Sequence, residues 1–165
     1  MWKHGRRAFL LLIAAMAVAI SGCGGSDSSD TEASDKAEAS GKAVIQLSPI
    51  PGLGRVVTNS SGKTLYRSSH DLKGNGLTTC NGACAEIWQP ELSSGKPTAG
   101  PGGLEAAKLG TITREDGSTQ ATYDGWPLYT YTREGPREFQ GMGLISGGMS
   151  WYVLRNANAE SIEEL

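Results

Sequence analysis

No apolar run in this chain of 165 residues is long enough to cross a bilayer as a helix. The longest, Ala8 to Ile20, has 13 residues, against the roughly 20 that a hydrocarbon core requires. A permanent transmembrane helix is therefore not expected. Histidine is scarce, with only His4 and His70 present, and His4 falls in the N-terminal segment that export removes. A type 1 copper centre, built from two histidines and a cysteine, is thereby excluded. There is no Gly-x-Ser-x-Gly elbow and no His-Glu-x-x-His pair, and the glycine clusters lack the Lys-Ser/Thr that follows a phosphate-cradling loop. Nor is there an excess of positive charge: 15 Lys and Arg stand against 17 Asp and Glu. Nucleic acid is not an expected partner.

What the N-terminus does contain is an export signal. Lys3, Arg6 and Arg7 precede the apolar run with no acid among them, the layout of a signal peptide. Arg6-Arg7 is also compatible with twin-arginine export. The run closes on Ile20-Ser21-Gly22-Cys23, which resembles the lipobox of bacterial lipoproteins, where the cysteine receives diacylglycerol and becomes the new N-terminus. Residues 1–22 are read as the signal, and Cys23 as the lipid anchor to the extracytoplasmic face of a membrane. The alternative is an ordinary secreted protein with an incidental cysteine. Residues 24–42 read GGSDSSDTEASDKAEASGK, with no aromatic or large aliphatic side chain to offset the entropy of ordering. Residues 23–43 are thus the lipidated cysteine and a solvated stalk.

Residues 44–159 are the size of one small domain, followed by a polar tail, 160–165. Within the domain, Gly62-Lys63-Thr64-Leu65-Tyr66 and Gly125-Trp126-Pro127-Leu128-Tyr129 share the frame Gly-x-x-Leu-Tyr at an offset of 63. The same offset carries Asp71 onto Glu134 and Trp88 onto Trp151. Two diverged copies of one unit are expected, at about 55–95 and 109–156. The cysteines Cys80 and Cys84 occur only in the first.

Local patterning favours strands. Arg55–Thr58 and Thr64–Arg67 flank the turn-rich Asn59-Ser60-Ser61-Gly62 and predict a hairpin. Leu109–Arg114, Thr119–Tyr123 and Leu128–Tyr131 predict a three-stranded meander, and Ser150–Leu154 a further strand. Helix is confined to two short turns, Ala83–Trp88 and Leu104–Lys108. The expected fold is mainly β and antiparallel, with one or two short helices and a pseudo-twofold internal repeat.

These residues resemble the secreted lipoprotein repeat of unknown function, which occurs in tandem in bacterial lipoproteins and carries a Tyr-x4-Asp motif. Here the motif is Tyr66 to Asp71, and the segment CNGACAEIWQPEL is similar to the family's first copy. The second copy reads Tyr129 to Glu134, with Glu in place of Asp, and Gln89 stands where the family has proline. The resemblance implies the repeat fold and an envelope location, and it brings no catalytic residues.

Cys80 and Cys84, if they sit one helical turn apart, would have Cα atoms about 6 Å apart, within disulfide reach in an oxidising compartment. A structural disulfide is expected. The alternative is a redox site, or a copper or zinc site built from His70, Asp71, Cys80 and Cys84. Tyr66 and Asp71 are candidates for a hydroxyl–carboxylate pair across a loop, set against the plainer expectation that Leu-Tyr packs a strand and Asp71 caps a turn. Trp88 and Trp151 match under the repeat and are expected in the core. Trp126 faces Lys63 in the alignment and is the candidate surface aromatic for stacking on a ligand. The expected function is a non-enzymatic, lipid-anchored envelope module that binds an envelope protein or small ligand. Redox or metal handling is the alternative.

Overall fold

The computed structural model describes residues 41–155. The expected signal, Cys23, most of the stalk and the C-terminal tail lie outside the described residues. Strands dominate. β1 (Val44–Ile50) pairs antiparallel with β2 (Gly54–Asn59), and alternation within β1 buries Ile45 and Leu47. β3 (Tyr66–Ser68) follows, then the short helix α1 (Ala83–Ile87) and β4 (Trp88–Pro90). β5 (Thr98–Ala99) runs parallel to β1, the one departure from antiparallel pairing among the named strands. A 3-10 turn at Ala106–Lys108 leads into β6 (Leu109–Thr113), β7 (Thr119–Tyr123), β8 (Trp126–Pro127), β9 (Tyr129–Tyr131), β10 (Ile145–Ser146) and β11 (Met149–Val153). The three sheets have the orders β2-β1-β5, β10-β11-β3-β9-β4 and β6-β7-β8.

Two sequence expectations are corrected here. The predicted hairpin has its turn in place, with Asn59 Oδ1 accepting from Lys63 N at 3.0 Å. Its ladder, however, stops at the bridge between Thr58 and Thr64 and the bond from Leu65 N to Val57 O. The chain then crosses, and β3 pairs with β11 and β9 instead of β2. In the predicted meander the third place is taken by β8, and β9 leaves for the central sheet. One cause underlies both. In each Leu-Tyr the leucine turns into one core, with Ile45, Leu47, Val57, Leu109 and Leu154, while the tyrosine turns into another, with Trp88, Trp151 and Val153. Each strand leaves its hairpin at the tyrosine, where the second core begins.

The repeat is visible as geometry. Tyr66 and Tyr129 lie opposite one another at the β3–β9 crossing. An offset of 63 converts the β4–β9 register (Trp88↔Tyr131, Pro90↔Tyr129) into the β11–β3 register (Trp151↔Ser68, Val153↔Tyr66). Bonds outside the ladders obey it as well: Thr132 N to Ile87 O corresponds to Ser69 N to Ser150 O, and Glu91 N to Leu128 O corresponds to Leu154 N to Leu65 O. The glycines that open the two frames, Gly62 and Gly125, have φ of 81° and 80°, a left-handed conformation that glycine adopts without strain. The copies diverge where α1 of the first is replaced by β10 of the second.

Candidate functional site

The motif residues meet at the junction between the copies, and they meet crosswise. Tyr66 Oη donates to Glu134 Oε2 at 2.9 Å, and Tyr129 Oη donates to Asp71 Oδ2 at 2.8 Å. Each tyrosine is bonded to the carboxylate of the other copy, so the expected pairing of Tyr66 with Asp71 is corrected. The physical reason is the crossing of β3 and β9, which turns each phenol toward the loop that follows the opposite strand. Asp71 Oδ1 also accepts from Thr79 N and Oγ1, both at 2.8 Å. Glu134 Oε2 takes Gly141 N at 3.1 Å, while its Oε1 is buried without a hydrogen-bond partner among the described residues. Gly141 passes so close that a Cβ there would lie 2.8 Å from Trp88 Cη2.

Over this junction the indoles of Trp88 and Trp151 stack at 4.0 Å and 7°, and Tyr131 stacks on Trp88 at 4.5 Å. Tyr66 meets Trp88 edge-on, as Tyr129 meets Trp151. All four motif side chains are buried. Burial, reinforced by the Glu134 charge, raises the Tyr66 phenol, and burial with the Asp71 charge raises that of Tyr129. Both remain protonated donors at physiological pH. Burial likewise pushes Glu134 above the ordinary carboxylate value. A protonated phenol shut away from solvent offers a substrate neither a nucleophile nor a base, so the motif's chemistry here is that of a clamp.

Cys80 and Cys84 form the expected disulfide, with Cα atoms 5.2 Å apart. It fastens the turn Asn81-Gly82 and α1 to the buried end of the first copy. Arg114, at the start of the β6–β7 turn, grips the same point: its Nη2 donates to Cys80 O at 2.8 Å and to Asn81 Oδ1 at 2.9 Å, and its Nη1 to Gln120 Oε1 at 2.6 Å. Replacing both cysteines with serine is expected to lower stability by about 2 kcal/mol, the entropy of so short a loop. A chemical denaturation midpoint unchanged by that double replacement would show that Arg114 alone holds the turn.

Between α1 and the β6–β7 turn lies a cleft of about 770 Å³, the size of a small-ligand site. Its floor is Arg114 and Pro90, and its rim carries Glu86, Glu115 and Asp116. Sequence reasoning missed it, because its walls come from segments 30 residues apart and from opposite copies. The remaining candidates lie elsewhere. Trp126 is half-buried against the first core and stacks on the Arg67 guanidinium at 4.4 Å, with Tyr152 at 4.6 Å from the same group. His70 is exposed, Asp71 is committed to the junction and the cysteines are joined. Among the described residues no group of three or more His, Cys, Asp or Glu comes together to hold a metal ion, and no helix is long and apolar enough to cross a membrane.

Residues 50–90 and 110–155 each match the family profile of a secreted repeat of unknown function. No curated protein and no solved structure matches the chain.

Proposed function

This chain belongs to the family of secreted repeats of unknown function, whose unit it carries twice, and from that premise we propose that it is a lipid-anchored, non-enzymatic binding module of the bacterial cell envelope. Cys23 carries the lipid, residues 24–42 hold the domain away from the bilayer, and the cleft beside α1 receives the ligand. The observation that supports binding is the cleft itself. It lies where the two copies have diverged, while the symmetric residues are spent on the junction. Asn81, Glu86 and Gln89 correspond under the repeat to Leu144, Met149 and Tyr152, so the polar wall exists in one copy alone. The case against catalysis rests on the burial of the Tyr–carboxylate pairs.

Two experiments test this reading. Cys23→Ala is expected to move the protein from the membrane to the soluble fraction, and retention in the membrane would overturn the anchor. In an NMR screen of short peptides and oligosaccharides, the amides of Asn81, Gly82, Gln89 and Ser118 are expected to respond. Ligand-induced shifts confined to other surfaces would overturn the cleft.

A further inference from the structure

Resting on that reading, we infer that the cleft beside α1 takes a short extended peptide bearing a basic side chain. The sign of charge comes first. Residues 41–155 carry 11 Lys and Arg against 9 Asp and Glu, so the domain as a whole leans positive. The cleft reverses this, with Glu86, Glu115 and Asp116 of those nine on its lining and Arg114 as its one cation. Glu86 and Glu115 are exposed and hold no ion pair among the described residues. Opposed across the cleft mouth, one on α1 and the other on the β6–β7 turn, they focus a negative potential on the space between them.

Arg114 offsets one of those three charges and leaves the lining net negative. It is buried, and its guanidinium is spent on neutral acceptors: the carbonyl of Cys80 and the side-chain amides of Asn81 and Gln120. Asp116 reaches it only at 4.0 Å, and its Nε, buried in the cleft floor, has no hydrogen-bond partner among the described residues. The exposed Gln89 amide offers a donor and an acceptor together, the complement of a peptide unit. Pro90 and Leu92 supply the apolar contact. An amide pair at Gln89, an apolar contact at Pro90 and Leu92 and a basic side chain between the acids are spanned by one extended segment. Pro90, which has no N–H, keeps the β4 edge from extending the sheet indefinitely through that segment.

The test uses the full chain in detergent and four probes: tetralysine amide, tetraglutamate amide, tetraalanine amide and spermine, each titrated at low and high salt with amide shifts as the readout. Tetralysine amide is expected to shift the cleft amides, to bind at least about tenfold more tightly than tetraglutamate, and to weaken as salt screens the rim. Glu86→Gln with Glu115→Gln, two exposed positions, is expected to weaken tetralysine about tenfold. Tetraglutamate or tetraalanine binding the cleft as well as tetralysine would overturn the basic-peptide assignment and leave the binding module standing. Spermine matching tetralysine would overturn the peptide part. Silence of the cleft amides toward all four would overturn the assignment, and silence across the wider peptide and saccharide screen would take the binding module with it.

Discussion

Trp88→Ala and Trp151→Ala are each expected to lower the stability of the domain by about 3 to 5 kcal/mol, the cost of an indole-sized cavity in a packed core. Both side chains are fully buried in one cluster of five rings, where Trp88 meets Tyr66, Tyr131 and Trp151, and Trp151 meets Trp88 and Tyr129. The effect should be near-symmetric, because the repeat gives the two rings the same neighbours: Tyr66 edge-on to Trp88 and Tyr129 edge-on to Trp151. The asymmetry comes from Tyr131, which stacks on Trp88 while its counterpart, Ser68, offers Trp151 nothing comparable. Trp88→Ala should thus be the costlier. Because the rings touch at 4.0 Å, the double replacement should cost less than the sum, by about 0.5 to 1.5 kcal/mol of ring–ring coupling. Chemical denaturation of the single and double variants checks this. A single replacement costing under 1 kcal/mol would place its ring outside the core.

The second large effect is expected at the junction. Asp71→Ala removes an acceptor used by Tyr129 Oη, Thr79 N and Thr79 Oγ1. Thr78 still reaches the phenol, and Thr79 is exposed, so water can replace the carboxylate there; a loss of about 2 kcal/mol is expected, chiefly from the buried phenol's bond to a charged acceptor, worth about 1.5 to 3 kcal/mol. Asp71→Asn, which keeps an acceptor, should recover part of it. Glu134 adds a pH dependence of definite sign. Burial raises its folded-state value above the ordinary 4.5, outweighing the hydrogen bond from Tyr66. Between the unfolded and folded values the native state holds the extra proton, so its contribution to stability is full below the ordinary value and is lost as pH rises through the folded one. Glu134→Gln should flatten that fall. It will not abolish it, because burial raises Glu91 in the same direction. A stability profile with the same slope in wild type and Glu134→Gln would show the carboxyl to be solvated.

Much of this is legible in the residues. The Gly-x-x-Leu-Tyr frame and the Trp88/Trp151 match carry the duplication, and the left-handed turns at Gly62 and Gly125 are why the frame begins with glycine. The disulfide follows from spacing. Three things were not legible, each for a physical reason. The partner of Tyr66 was hidden because Asp71 and Glu134 occupy equivalent positions, so pairing within a copy and pairing between copies leave the same pattern. The departure of β3 and β9 from their hairpins was hidden because opposite faces for leucine and tyrosine are common to every strand and do not say that each face belongs to a separate core. β1 is hard to see in the sequence because Pro49 interrupts its alternation, although Ile45 and Leu47 carry the buried face. Trp126 shows the limit of alignment. Facing a lysine in the other copy marks it as different without saying that its ring stacks on Arg67.

The crossed bonds at the junction have a consequence for how such chains can grow. Each copy buries a phenol whose carboxylate belongs to the other, so a single copy is a half-finished object with an orphaned hydroxyl, an orphaned acid and one exposed indole face. Such a unit completes itself only with a second, in the same chain or from a neighbour. An odd number of copies therefore leaves one of them in need of a partner from a neighbouring chain, whereas copies added in pairs bring their own.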